Sequence, residues 1–163
     1  MRISIASDHR GYQMKTRLVQ LLESMQHDAI DYGPADSANV DYPDYARLVA
    51  RSVASQESER GILICGTGIG MCITANKFAG VRAAPCHDTV TAEYSRLHND
   101  ANVICLSSNQ LSDAQAEQII SIWLTTEFEE GRHARRIQKI VDVEREAASQ
   151  VLEDSATGDS PSC

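Results

Sequence analysis

Residues 61–65 read GILIC, an uninterrupted apolar run that stops at a cysteine and gives way at once to the glycine-rich GTGIG. A strand with no polar alternation must be covered on both faces, which is the situation of a parallel sheet lying between layers of helix. The rest of the chain keeps the same rhythm. RISIAS (2–7), DAIDYG (28–33), VRAAPC (81–86) and NVICLS (102–107) read as further strands, each followed by an amphipathic stretch.

The first helix carries Met14, Leu18, Leu21, Leu22 and Met25 at helical spacing; a second, with Pro43 in its first turn, carries Tyr45, Leu48, Val49 and Val53. A third begins at the glycine loop and runs through Ile73 to Phe78, and TVTAEYSRL gives a fourth. A fifth follows Ser112, its expected cap, with Ile119, Ile120 and Trp123 on one side. Alternation of this kind predicts an α/β fold: a three-layer, doubly wound, Rossmann-like arrangement with a five-stranded parallel sheet. A charged sixth helix, RHARRIQKIVDVEREAASQ, is additional to that plan. Its apolar stripe of Ile137, Ile140, Val141 and Val151 packs either on its own domain or on another subunit. The 163 residues fit one domain, residues 1–150, with EDSATGDSPSC at its end expected to be disordered, so that 151–163 form a tail.

Fifteen Lys and Arg stand against 23 Asp and Glu, and no long basic run offers a footprint for nucleic acid. The start of the chain lacks a signal-peptide pattern and no apolar stretch is long enough for a bilayer, so the expectation is a soluble, cytoplasmic protein with no membrane partner. Five cysteines without a CxxC pair argue for free thiols rather than a disulfide framework or zinc ribbon. The densest basic cluster, Arg132, His133, Arg135, Arg136 and Lys139, suits a small anion.

In open α/β sheets, ligands bind beyond the carboxyl ends of the strands. Asp8 and His9 end the first strand, Cys65 ends the third, and His98, Asn99 and Asp100 precede the fifth. The expectation is that one carboxylate, two imidazoles and a thiol converge. The loop Gly66, Thr67, Gly68, Ile69, Gly70 exposes backbone N–H groups able to hold a phosphate or a reaction oxyanion, or is simply a tight βα turn. Its GxGxG spacing after the third strand is not the dinucleotide fingerprint. Cys65 is placed to act as base or nucleophile, or is a small core residue. His98 suits proton transfer near neutral pH, or is merely solvated, and Asp8 can equally cap a helix. Arg132 and Arg136, four apart, share one helical face and can grip a phosphate, or pair with nearby glutamates. Tyr42 hydrogen-bonds a ligand or covers the core edge.

Taken together, SDHRG (7–11), VDYPDYA (40–46), GILICGTGIGMCITANKFAGVRAA (61–84), SRLHNDANVI (95–104) and GRHARRIQKI (131–140) resemble the type B ribose-5-phosphate isomerases. That family also includes isomerases of allose 6-phosphate and galactose 6-phosphate. The resemblance implies interconversion of ribose 5-phosphate and ribulose 5-phosphate through a cis-enediolate, with no cofactor and no metal. It implies that Cys65 is the base, that Gly66 to Gly70 with Thr67 stabilise the enediolate, and that His98 opens the sugar ring with help from Asp8. His9, Arg132 and Arg136 would hold the phosphate, Asn99 the sugar, and Tyr42 would line the pocket. The partner would be a small phosphorylated sugar. The protein would be a homo-oligomer, a dimer or dimer of dimers, with each site shared between subunits, and the extra helix would lie at that interface.

Two departures from the family pattern stand out. Some members carry a glutamate base directly after the glycine loop, where this chain has Met71, and many have an arginine where it has Asn109. The alternatives are a hexose-6-phosphate isomerase, against which Cys65 argues since the galactose branch lacks it, and a catalytically silent sugar-phosphate sensor.

Overall fold

The computed structural model describes residues 1–157, with side chains through residue 152. Its first compact unit is Met1–Glu129 and its second begins at Glu130. The first unit alternates β1 (Arg2–Ser7), α1 (Tyr12–Ser24), β2 (Asp28–Asp31), α2 (Tyr42–Ala54), β3 (Arg60–Cys65), α3 (Ile69–Ala75), β4 (Ala83–Pro85), α4 (Thr89–Asn99), β5 (Val103–Ser107) and α5 (Asp113–Thr125). All five strands are parallel, in the order β2-β1-β3-β5-β4.

Alternate residues of the central strands face opposite helix layers, which is what an all-apolar strand requires. Ile62 and Ile64 of β3 join Ile3, Ile5, Ile104 and Leu106 beneath α1 and α5, around fully buried Trp123. Leu63 and Cys65 point the other way, with Ala6, Val103 and Cys105, against Val49, Ala50, Met71 and Ala75 of α2 and α3. These are the three layers expected from the sequence.

The element ends differ from the sequence expectation for identifiable reasons. The third helix stops at Asn76 rather than Phe78, because the Asn76 amide turns outward to β4, donating Nδ2 to Ala83 O (2.9 Å) and accepting Ala83 N (2.9 Å). β4 is accordingly only three residues long. The fourth helix runs past Leu97 to Asn99, so His98 and Asn99 sit in its last turn and not in a loop. Asp100 then leaves the helix in the left-handed conformation (φ 44°). Ser112 does cap α5, in a reciprocal capping box with Gln115.

A charge stands where the helical pattern of α1 shows only apolar anchors. Lys15 is 2 % exposed, its Nζ donating to both oxygens of Asp31 (2.8 and 2.6 Å) and to Pro34 O (3.0 Å). The pair ties the chain leaving β2 back onto α1.

The second unit holds α6 (Arg132–Thr157), preceded by two left-handed residues, Glu130 (φ 62°) and Gly131 (φ 56°), that break the chain path. The helix continues past residue 152, where the sequence reading begins its disordered tail; the remainder of that tail, residues 158–163, lies outside the described residues. Ile140, Val143, Val151 and Leu152 on α6 are exposed. Among the described residues no helix is long and apolar enough to cross a membrane.

Lys15 is buried while Asp31 reaches solvent, so removing Asp31 strands a buried charge without its counter-ion. Asp31→Ala is therefore expected to lower unfolding free energy by about 3 kcal/mol. Most of that loss should return in Lys15→Met/Asp31→Ala, as measured by urea denaturation; equal losses in both proteins would show that the charge on Lys15 is not the cause.

Candidate active site

The chain runs from β1 to β2 on one side and then crosses back to β3 on the other, so the strand order reverses between β1 and β3. At such a reversal the connections diverge and leave a crevice beyond the carboxyl ends of the two strands. A cleft of about 220 Å³ lies there, lined by Asp8, Tyr42, Cys65, Gly66, Thr67 and Gly70, and also by Arg10 and Asn109.

Asp8 follows β1, its amide donating to Ile64 O (3.0 Å) and its carboxylate accepting the amides of Arg10 (2.9 Å) and Gly11 (3.0 Å). It thus closes the turn ahead of α1, whose N-cap is Gly11 and carries no side-chain cap, while lying at the cleft wall. His9, half-buried next to it, faces the Val40 amide at 3.4 Å.

Cys65 is 5 % exposed, and its sulfur accepts the amide of Gly68 at 3.1 Å. The loop that follows is braced from β5. Cys65 O accepts Ser108 N (2.9 Å), and Gly66 O accepts Asn109 N (3.2 Å) and Ser107 Oγ (2.7 Å). The carbonyls of Cys65 and Gly66 are thus tied back to β5, and Gly66, Thr67 and Gly70 form the loop's share of the cleft wall. Gly68 reaches φ 75°, where a side chain would be strained and its Cβ would sit 3.2 Å from the Leu106 carbonyl. Ile69, exposed at the head of α3, gives its amide to Thr67 Oγ1 (3.4 Å), so the Thr67 hydroxyl hydrogen is directed elsewhere. Gly70 has a different reason to lack a side chain. A Cβ there would lie 2.6 Å from the ring of Tyr42, which lies over it as a wall of the cleft.

Among the other described cysteines, burial pushes Cys86 up to about 11 and Cys105 well above the ordinary thiol range, while Cys72 is drawn down by hydrogen bonds to Cys105 and Asn76. Met71 is wholly buried among the α2–α3 core side chains.

His98 does not join Asp8, His9 and Cys65 within one chain, contrary to the convergence expected from the sequence. The segment before a parallel strand lies at its amino end, and the residue ending a parallel strand lies at its carboxyl end. The register Gly61↔Val103 and Cys65↔Ser107 puts His98 and Asn99 at the opposite edge of the sheet from Cys65. There, the His98 ring stacks on Tyr94 (centroids 4.8 Å apart, 19° between planes), and its Nε2 is 3.6 Å from Glu129 Oε2. Arg132 and Arg136 are exposed on α6, one turn apart, with Arg132 Nε 3.2 Å from His133 Nε2.

Three residues near these groups escape the sequence reading as site residues. Arg10 directly follows His9, and its Cδ lies 3.1 Å from where a Gly66 Cβ would be. Asn109, noted above as a departure from the family pattern, lines the cleft beside it. Tyr94 is four residues before His98 on one helix, a spacing that does signal contact. Glu129 comes from the chain beyond α5.

Residues 3–140 match the family model described as Ribose/Galactose Isomerase. The ribose-5-phosphate isomerase B of Escherichia coli (strain K12) is 42% identical over 144 residues, 88% of this chain and 97% of that protein. The solved Clostridium thermocellum ribose-5-phosphate isomerase B is 44% identical, covers 90% of this chain and 99% of its own, and superposes with a TM-score of 0.89. That of Mycoplasma genitalium, solved with bound ribulose-5-phosphate, is 46% identical, with 89% and 97% covered and a TM-score of 0.86.

The contact between Gly70 and Tyr42 is testable by a double-mutant cycle. Gly70→Ala should displace the ring, with a coupling to Tyr42→Ala of about 1 kcal/mol in thermal or urea unfolding. Additive effects would mean that Tyr42 does not rest on the glycine.

Proposed function

Since the chain belongs to the ribose/galactose isomerase family, we propose that it interconverts ribose 5-phosphate and ribulose 5-phosphate. The observation that carries this reading is the Cys65 sulfur at the sheet reversal, holding the Gly68 amide and next to a glycine loop that is tied back to β5 and lines the cleft with Gly66, Thr67 and Gly70. A base beside an oxyanion site is what an aldose–ketose isomerase needs, because removing a proton from C2 of the opened aldose leaves negative charge on oxygen.

In this mechanism the Cys65 thiolate takes the C2 proton and returns it to C1. The hydroxyl proton on O2 passes to O1 as the double bond shifts. The amides between Gly66 and Gly70, with the Thr67 hydroxyl, stabilise the enediolate in between. Met71 has no titratable group and lies in the core, which leaves the proton transfer to Cys65. Ring opening is a separate acid–base task, assigned to His98 with Asp8. Asn99 holds the sugar, and His9, Arg132 and Arg136 hold the phosphate.

The two sets of groups lie at opposite edges of one sheet, so we assign each active site to two chains, Cys65 from one and His98 with Asn99 from another. The exposed Ile140, Val143, Val151 and Leu152 of α6 favour a homo-oligomer, since a partner would cover this apolar face.

Cys65→Ala is expected to bind ribose 5-phosphate while losing at least about 100-fold in turnover, the usual contribution of a positioned base. His98→Asn should lose turnover of ribose 5-phosphate yet still exchange the C1 proton of ribulose 5-phosphate in D₂O, as followed by NMR, because the ketose needs no ring opening. Wild-type turnover in Cys65→Ala would remove the proposed base. Binding of ribose 5-phosphate by the wild type, with EDTA present, but no turnover of any pentose or hexose phosphate would leave a sensor.

Mixing the two inactive variants under conditions that exchange subunits tests the shared site directly. Half of the dimers would be mixed and one of their two sites intact, so about a quarter of wild-type activity should return. No recovery despite demonstrated exchange would place both groups in one chain's site.

A further inference from the structure

A cavity of about 720 Å³ opens at the amino edge of the sheet, away from the cleft. Its wall contains three arginines: Arg60 at the start of β3, Arg82 just before β4 and Arg96 in α4. Arg60 and Arg96 are buried, 7 % and 6 % exposed.

Each guanidinium is held by protein acceptors on one side only. Arg60 donates Nη1 to the carbonyls of Trp123 (2.8 Å) and Leu124 (2.9 Å), at the end of α5. Arg82 donates Nε to the carbonyls of Asn99 and Asp100, and Nη2 to Asp100 O (2.8 Å) and Oδ2 (2.6 Å). Arg96 donates Nε to Thr126 O (3.4 Å), and Nη1 to Ala101 O (2.8 Å) and Asp100 Oδ1 (2.7 Å). Among the described residues, Nη2 of Arg60, Nη1 of Arg82 and Nη2 of Arg96 have no acceptor.

Charge is short of balance in the same place. Arg82 and Arg96 share the single carboxylate of Asp100. Arg60 has no carboxylate oxygen within 4.0 Å among the described residues. Of the other charged groups in the lining, the carboxylates of Glu59 and Glu127 belong to exposed residues, Glu59 already accepts the Arg2 amide, and Met1 adds a positive amino group. Burial and then the charge of Arg96 bring Arg60 down to about 10. Guanidinium groups fixed on one side and bare on the other match an oxyanion, which accepts several charge-assisted hydrogen bonds at once.

We propose that this cavity binds a small oxyanion of the phosphate class, gripped by Arg60, Arg82 and Arg96. The bonds that orient Arg82 and Arg96 also hold the carbonyls of Asn99, Asp100 and Ala101, where α4 turns into β5. An occupied cavity therefore stiffens that junction and raises the melting temperature.

The test uses the Arg132→Gln/Arg136→Gln protein, which lacks the arginines assigned above to the substrate phosphate. It is titrated with inorganic phosphate at fixed ionic strength by calorimetry, with thermal unfolding in parallel. Saturable binding with a rising melting temperature is expected. Ala54→Glu, added at the exposed lining without touching any arginine bond, should weaken binding by about tenfold through like-charge repulsion. Arg60→Lys, which keeps the charge and loses the planar fork, should also weaken it.

A parallel titration with glycerol 3-phosphate identifies the source: tighter binding than phosphate points to a phosphate ester, equal or weaker binding to the free ion. No saturable binding in the double variant, or binding that Ala54→Glu leaves unchanged, overturns the proposal. None of these readouts requires turnover, so they stand or fall separately from the isomerase reading.

Discussion

Two carbonyl groups govern the geometry of the cleft. Cys65 O and Gly66 O stand where the central strand ends, and both accept hydrogen bonds from the Ser107–Asn109 segment. Because β3 and β5 are neighbours in register, the end of β5 and the turn that follows it lie within reach. The chain after Cys65 is thus fixed from behind by its neighbour. It must turn sharply, which Gly68 permits, and it must pass under Tyr42, which Gly70 permits. Between Thr67 and Gly70 the loop's own share of the cleft wall carries no side chain larger than threonine's, with Tyr42 lying over Gly70. The position of the thiol and the openness of the loop have one cause.

Period carries most of the fold in the sequence. An apolar run such as GILIC has no exposed face, and the helices between the strands show their stripes plainly, so layers and strand direction follow. Element ends are less legible because they are decided by single polar side chains. Asn76 reads as one more helical residue until its amide is seen paired with Ala83. Lys15 is not among the apolar anchors that mark the first helix in the sequence, and only the tertiary fold brings Asp31 to it.

For the candidate site, the residues at strand ends were legible because a parallel sheet puts all such ends on one edge. The same rule, applied with care, separates His98 from Cys65, since a residue that precedes a strand belongs to the other edge. Arg10 was harder to see: it reaches the cleft because its side chain lies beside Gly66, and no spacing in the sequence encodes that approach. Each end of the sheet gathers its own set of polar groups, and the central residues of β3 between them are apolar on both sides.

Asn76 has a consequence beyond ending a helix. β4 is an outer strand, and such a strand ordinarily presents bare N–H and C=O groups to which a strand of another molecule can add. Here the outward pair of Ala83 is already occupied by a side-chain amide that imitates a neighbouring backbone. The sheet therefore cannot be extended at that residue of its β4 edge.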